Sequence, residues 1–262
     1  MYATERHQQI LSSIEADGRV SVTELSRRFD VTSETIRRDL DQLESLGHVR
    51  RVHGGAVSAS RASVEEPTLA DRENVNRDGK RRIAEAAMRL VPSDFRGSVL
   101  VDSGTTTGAL AARLGAWTPS RPDRRLDVIT NSVPIAAALY RAPALDLHLL
   151  GGRVRGETSA AVGAPTVEQL DRLRPDIAFI GANGVSADFG LSTPDELESA
   201  VKSAMVRSAR RRILLADSGK LGEEALHRFA ALGDLDVLIT DAAPDARLSG
   251  TLESVGVEVV VA

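Results

Sequence analysis

The 262-residue sequence predicts a mixed α/β chain in two parts. A small helical domain closed by a β-hairpin comes first, then a larger domain in which helices alternate with the strands of a mostly parallel sheet. Three observations predict it. Residues 1–58 hold three helix-like stretches followed by two short β-like runs. From Arg77 to the end (77–262), apolar strand-like runs alternate with helix-like stretches. Between them, residues 59–76 are small, polar and unpatterned, as a linker is.

In the front part, Thr4 to Ala16 reads as a first helix with Ile10, Leu11 and Ile14 on its inner face, stopped by Asp17-Gly18. Val20-Ser21-Val22 alternates like a short strand, and Thr23 is placed to cap a second helix carrying Leu25 and Phe29 one turn apart. Asp30-Val31 leads tightly into a third helix. Thr32 caps it, Ile36, Leu40 and Leu43 form its apolar stripe, and Gly47 ends it. The runs around Val49–Val52 and Ala56-Val57, joined near Gly54-Gly55, read as a hairpin.

That order is a winged helix-turn-helix. On the third helix, Ser33, Glu34, Thr35, Arg37 and Arg38 suit a DNA major groove, where guanidinium bonds guanine edges or reaches phosphates. Arg50, Arg51 and His53 of the hairpin are placed to meet backbone phosphates. A plainer alternative is a solvated helix with a Glu34–Arg38 ion pair. Residues 1–58 carry eight Arg against nine acids, so the domain lacks the basic excess of a strong nucleic-acid binder. A dimer or larger assembly would then supply affinity.

These residues resemble the DNA-binding domain of the DeoR family of bacterial transcriptional regulators. The family's first helix is matched by Arg6, Ile10 and Ile14. Its T-x-x-T-I-R-R-D-L helix is matched by Thr32, Thr35, Ile36, Arg37, Arg38, Asp39 and Leu40, and its R-x-H-G-G-A wing by Arg51, His53, Gly54, Gly55 and Ala56.

Composition narrows the function classes. Net charge is −4 and 42% of residues are hydrophobic, which fits a chain with a real core and no general polycationic character. With no cysteine there is no disulfide framework, thiol nucleophile or Cys-ligated metal. No apolar run approaches the ~20 residues of a membrane span, and no signal peptide is evident. The expectation is a cytoplasmic protein.

In the larger part, helix-like stretches cover about 79–91, 106–114, 132–141, 165–173 and 195–211. Strand-like runs fall at 98–102, 127–130, 146–150, 177–181, 212–216, 236–240 and 257–261. Parallel sheets bind ligands at the carboxyl ends of their strands. The first such end, Asp102-Ser103-Gly104-Thr105-Thr106-Thr107, is a Gly-hydroxyl loop running into a helix and makes an anion site. It lacks the Gly-Lys-Ser/Thr of an ATP-type loop and fits a monophosphate. Polar groups also mark Thr130-Asn131-Ser132, Gly151-Gly152-Arg153, Gly181-Ala182-Asn183-Gly184 and Asp217-Ser218-Gly219-Lys220. Of 33 basic residues only Lys80, Lys202 and Lys220 are lysine. Lys202 and Lys220 are candidates for ligand contact, and Lys80 reads as an ordinary surface residue.

These loops resemble the effector domain of the same family, which is similar in fold to ribose-5-phosphate isomerase and the coenzyme A transferases. The resemblance implies a phosphate loop at Asp102–Thr106, a G-x-N-G turn at Gly181, Asn183 and Gly184, and T-x-x-E and D-S-x-K elements at Thr193, Glu196, Asp217, Ser218 and Lys220. The isomerases' D-G-A-D turn is replaced by Gly181-Ala182-Asn183-Gly184, which removes the general base. The expected effector site is therefore Asp102, Ser103, Gly104, Thr105, Thr106, Thr107, Asn131, Asn183, Glu196, Lys202 and Lys220, with no catalytic residue, metal or cofactor. The expected protein is a repressor of carbohydrate metabolism genes, a homodimer or homotetramer released from double-stranded operator DNA by a phosphorylated sugar. The competing reading is a sugar-phosphate isomerase or transferase with an appended nucleic-acid domain.

Overall fold

A computed structural model of the chain describes residues 3–17, 19–46, 48–52, 54–58, 66 and 68–262. The chain folds as two units, Met1–Ala62 and Ser63–Ala262. The first contains α1 (Ala3–Asp17), β1 (Arg19–Ser21), α2 (Val22–Phe29), α3 (Ser33–Ser45), β2 (Val49–Val52) and β3 (Gly55–Ser58). Its core joins Ile10 and Ile14 of α1, Leu25 and Phe29 of α2, and Ile36, Leu40 and Leu43 of α3. Thr32 caps α3, its hydroxyl accepting the Thr35 N–H at 3.2 Å.

Two local expectations need correction. The cap of α2 is Ser21, and Thr23 sits inside the first turn. Ser21 is held extended by pairing with Gly55, and the Val22 N–H already donates to the Gly54 carbonyl at 2.8 Å. Gly55, read as part of the wing's turn, already belongs to β3, where it pairs with Val52. Gly54 takes φ +80°, a conformation that suits glycine. A side chain on Gly55 would meet the Val20 carbonyl oxygen at 1.9 Å, so glycine is what lets β1 lie against β3. Gly47 and His53 lie outside the described residues, as does the side chain of Arg50.

A buried ion pair locks α1 to α3. Arg6 Nε and Nη2 donate to Asp39 Oδ2 and Oδ1 at 2.5 and 2.8 Å, and His7 Nε2 lies 3.0 Å from Oδ1. Burial would raise the Asp39 carboxyl, but hydrogen bonds from Arg6 and His7 outweigh it and hold it below the usual range.

The second unit contains α4 (Leu69–Asn74), α5 (Arg77–Met88), β4 (Ser98–Val101), α6 (Thr105–Leu114), β5 (Leu126–Thr130), α7 (Val133–Leu139) and β6 (Leu145–Leu149). Next come β7 (Arg153–Arg155), β8 (Ala160–Val162), α8 (Ala164–Asp171), β9 (Ile177–Ile180), β10 (Gly184–Ser186), β11 (Gly190–Thr193) and α9 (Glu196–Ser208). It ends with β12 (Arg211–Leu215), β13 (His227–Ala230), β14 (Val237–Thr240), α10 (Ala246–Ser254) and β15 (Glu258–Val261).

Seven strands form one sheet in the order β15-β14-β12-β9-β4-β5-β6, each neighbouring pair parallel. Both faces are covered, as parallel sheets require. Val99, Val101, Ile177 and Phe179 pack with α5, α6 and α7 residues such as Ile83, Leu110 and Leu139. Leu100, Ala178 and Ile180 pack on the other face with Leu170, Val201, Met205 and Leu252. The chain enters at β4, builds outward through β5 and β6, then returns to the opposite side of β4 at β9. The strand order therefore reverses between β4 and β9.

Two expectations fail in the segment ahead of this sheet. Residues 69–74, read as part of a linker, form α4, closed by a capping box between Thr68 and Asp71. Lys80 is not a surface residue. It is 5% exposed, and its ammonium donates to the carbonyls of Arg72 and, at 2.7 Å, Val75, tying α4 to α5. Burial, helped by the charges of Lys220 and Arg72 and opposed by Asp217, pushes its pKa down to about 8. The unfolded chain thus holds this proton up to about pH 10.4, where the folded one has released it. The cost of the buried charge is complete below pH 8 and is relieved as pH rises toward the unfolded value. Relative to Lys80→Met, the wild-type chain should gain up to roughly 3 kcal/mol between pH 7 and pH 10.5. Denaturant midpoints of the two proteins across that range would check this, and parallel pH profiles would refute it.

Candidate functional site

The reversal of strand order opens a crevice at the carboxyl ends of β4 and β9, where open parallel sheets hold ligands. A cavity of about 40 Å³ sits there, lined by Ser103 and the Gly104–Thr107 start of α6, by Gly181–Asn183 after β9, and by Lys220 after β12. Arg72, Thr158, Glu198 and Lys202 complete its polar wall. Its volume admits little more than a phosphate group or a few waters. Gly104, at φ +144°, turns the chain so that the amides of α6's first turn are presented to the cavity. The Thr107 hydroxyl donates back to the Gly104 carbonyl at 3.1 Å and fixes that turn.

Beneath the cavity lies a buried charge pair. Asp102 accepts from the Ser103 N–H at 2.8 Å, from the Gly181 N–H at 3.0 Å and from the Lys202 ammonium. Lys202 also donates to the Gly181 carbonyl at 3.0 Å. Burial pushes the Asp102 carboxyl up from its ordinary value, with Lys202 and the Gly181 amide pulling the other way. Asp102 and Lys202 thus staple the loops after β4 and β9 together.

The expected effector residues separate into three groups. Ser103, Gly104, Thr105, Thr106, Thr107, Asn183, Lys202 and Lys220 line the cavity. Asp102 and Asn131 lie behind it: the Asn131 side chain accepts the Ser103 N–H at 3.2 Å and donates to the Ala161 carbonyl at 3.1 Å. Asn131 therefore supports the loop from behind and does not line this cavity. Glu196 is exposed on the first turn of α9 and away from the cavity. Glu198 takes the place expected for it, because two residues along a helix turn the side chain by about 200°. The Gly151–Arg153 turn does not line the cavity either.

Sequence reasoning missed what holds Glu198. Its carboxylate accepts from the Thr158 hydroxyl and from Arg155 at 3.0 Å, and Arg155 also donates to Glu66 at 2.5 Å. Burial works against the Arg155 charge, but Glu66 and Glu198 prevail and raise its pKa. The only cue was an Arg and an acid far apart in sequence, which no local pattern joins.

On the first unit's outer face, Glu34, Arg37 and Arg38 are exposed and Ser33 and Thr35 half-buried. Arg37 and Glu34 sit 3.5 Å apart one turn along the helix, in place of the Glu34–Arg38 pair considered above. Such an exposed contact stabilises little and leaves the guanidinium available. Thr35 shares its hydroxyl with Thr32 at 2.9 Å and so belongs partly to the cap. Arg51 folds back onto α3: its N–H donates to Glu44 at 2.6 Å and its guanidinium lies 3.4 Å from Asp41. It braces the wing against α3. Among the described residues no acidic or His cluster could hold a metal ion, and no helix is long and apolar enough to cross a membrane.

Comparison with known proteins matches both units. Residues 6–62 fit the DeoR-like helix-turn-helix domain and residues 75–242 the DeoR C terminal sensor domain. The chain is 37% identical to the HTH-type transcriptional regulator GlpR of Haloferax volcanii, over 99% of this chain and 98% of that protein. It is 31% identical to the HTH-type transcriptional repressor GlcR of Bacillus subtilis, over 100% and 97%. It is also 31% identical to the glycerol-3-phosphate regulon repressor of Escherichia coli, over 93% of each. Among solved structures, ribose 5-phosphate isomerase A from Methanocaldococcus jannaschii aligns with 56% of this chain and 55% of its own, at 19% identity and a TM-score of 0.38. That likeness is too slight to carry an argument.

Proposed function

Because the chain belongs to the DeoR family of HTH-type transcriptional regulators, we propose that it is a repressor of carbohydrate genes, released from its operator by a phosphorylated sugar. In this reading the first unit holds DNA through Ser33, Thr35, Arg37 and Arg38, and the second unit holds the sugar phosphate. The observation that carries it is the Gly104–Thr107 helix start at the strand-order reversal, with Lys220 on the same cavity. Amides at a helix start favour an anion, and a lysine adds a charge-assisted bond.

Relatives named for a glycerol-3-phosphate regulon support a phosphate ester as the signal. The enzyme reading has less support. Glu198, the carboxylate on the cavity wall, is committed to Arg155 and Thr158, and is poorly placed to carry a proton. The near-neutral first unit supports a cytoplasmic homodimer or homotetramer, in which several weak readers act together.

The ligand can weaken DNA binding only by preferring the arrangement that binds DNA poorly. A tenfold release needs about 1.4 kcal/mol of such preference. A panel of sugar phosphates titrated against the operator-bound chain, with light scattering to size the complex, tests the proposal. Arg37→Ala should weaken cognate operator binding by ~1–3 kcal/mol. Thr106→Ala and Lys220→Ala should keep operator affinity and lose release. Release of both like wild type would sink the phosphate assignment.

A further inference from the structure

Helix α4 carries an arginine whose charge is poorly answered. Arg72 lines the cavity, yet its Nε and Nη2 are buried without a hydrogen-bond partner. Its nearest acid is Glu66, 3.8 Å from Nη1. Glu66 is already engaged by Arg155 at 2.5 Å and by distance makes no hydrogen bond to Arg72. Its backbone is fixed, because Lys80 holds the Arg72 carbonyl from within. A guanidinium edge left bare in a buried place is costly, and native proteins rarely leave one without a purpose.

The vacant edge has a definite shape. Nε–H and one Nη2–H point in parallel and match two oxygens of one planar or tetrahedral oxyanion. Lys220 and Lys202 share the cavity wall with it, three cationic side chains to the single carboxylate of Glu198, a balance that favours an anion. The same cavity is lined by Thr105 and Thr106, whose amides and hydroxyls at the start of α6 also favour an anion.

We infer that Arg72 is a ligand-binding residue, its Nε–Nη2 edge taking two phosphate oxygens of the ester bound in the cavity that the start of α6 also lines. The inference rests on the cavity being the effector site and adds a contact from outside the sheet. α4 belongs to the stretch that follows Ala62, the last residue of the first unit. Ligand binding is thereby felt directly by the chain that leads out of the DNA-reading unit.

Inorganic phosphate is the simplest probe, titrated calorimetrically into the full-length chain. Arg72→Gln removes the guanidinium, stays polar and keeps the backbone carbonyl that Lys80 holds, and should weaken phosphate about 10- to 100-fold. Arg72→Lys, which keeps the charge and loses the fork, should recover only part of that. Thr106→Val, at the start of α6 on the same cavity, serves as the control and should also weaken binding. If Thr106→Val loses phosphate while Arg72→Gln binds it like wild type, the role of Arg72 falls and the cavity assignment survives. If wild type fails to bind phosphate, or neither variant alters binding, both fall. Amide exchange in residues 69–74 of the wild-type chain gives a second reading that needs no variant. Phosphate should slow it, and unchanged exchange at saturating phosphate would overturn the inference.

Discussion

Asp39→Ala should unfold the first unit while the second stays folded. Arg6 meets both carboxylate oxygens of Asp39, and the pair is almost wholly buried between α1 and α3. Removing one partner of such a pair strands the other charge and costs about 3–5 kcal/mol. A domain of about 60 residues has only some 3–9 kcal/mol in total. Hydrogen exchange by peptide should show residues 3–58 losing protection while β4 and β9 keep theirs, and operator binding should vanish. Arg6→Met combined with Asp39→Leu should recover most of the stability, since no charge is then left unpaired. Acid should act on the same bond. The folded carboxyl titrates below its unfolded value, so its contribution is complete above about pH 4 and is lost as pH falls below that. Full protection of residues 3–58 in Asp39→Ala would show that the pair contributes little.

Lys202→Met should be as damaging to the second unit. It leaves the Asp102 carboxylate buried at the meeting of the β4 and β9 loops, at a cost of about 3–5 kcal/mol near neutral pH. Burial already pushes this carboxyl upward, and without the ammonium it should rise further. The variant's deficit against wild type should therefore shrink as pH falls and Asp102 takes up a proton. Asp102→Asn with Lys202→Met should restore most of the loss at neutral pH. Denaturant midpoints at pH 5 and pH 8 would measure both effects, and a deficit independent of pH would mean that Asp102 stays ionised without its partner.

Where burial leaves a run of like residues, the sequence was legible. The inner strands of the parallel sheet are largely apolar runs, and each of the seven strands falls within one residue of its expected span, as in Ile177–Ile180 and Val237–Thr240. β10, β11 and β13 had no such run. Gly184–Ser186 and Gly190–Thr193 are glycine- and hydroxyl-rich and owe their extended form to pairing with each other and with β13. α4 was hidden for a related reason: Leu-Ala-Asp-Arg-Glu-Asn has no apolar stripe, and the helix is held through the Arg72 carbonyl and the Leu69 N–H.

The site followed the same division. The Gly104–Thr107 start was readable because backbone geometry and residue type coincide there. Glu198, Arg72 and Arg155 were not, since their meeting depends on chain crossings that no spacing records. Asp39 left a faint cue, an acid three residues after Ile36 and four before Leu43, on the stripe that goes inside. Lys80 left none: Asp-Gly-Lys-Arg-Arg reads as solvent, and the carbonyls that capture it are supplied by α4.

The division of labour on α3 has an evolutionary side. Ile36, Asp39, Leu40 and Leu43 fasten the helix, while Arg37 and Arg38 face outward and take no part in the core. Exposed helix positions of this kind change with little penalty to folding. Lineages descended from one ancestral copy can therefore acquire new operators by single outward substitutions, each paralogue keeping the same scaffold as its vocabulary of sites diverges.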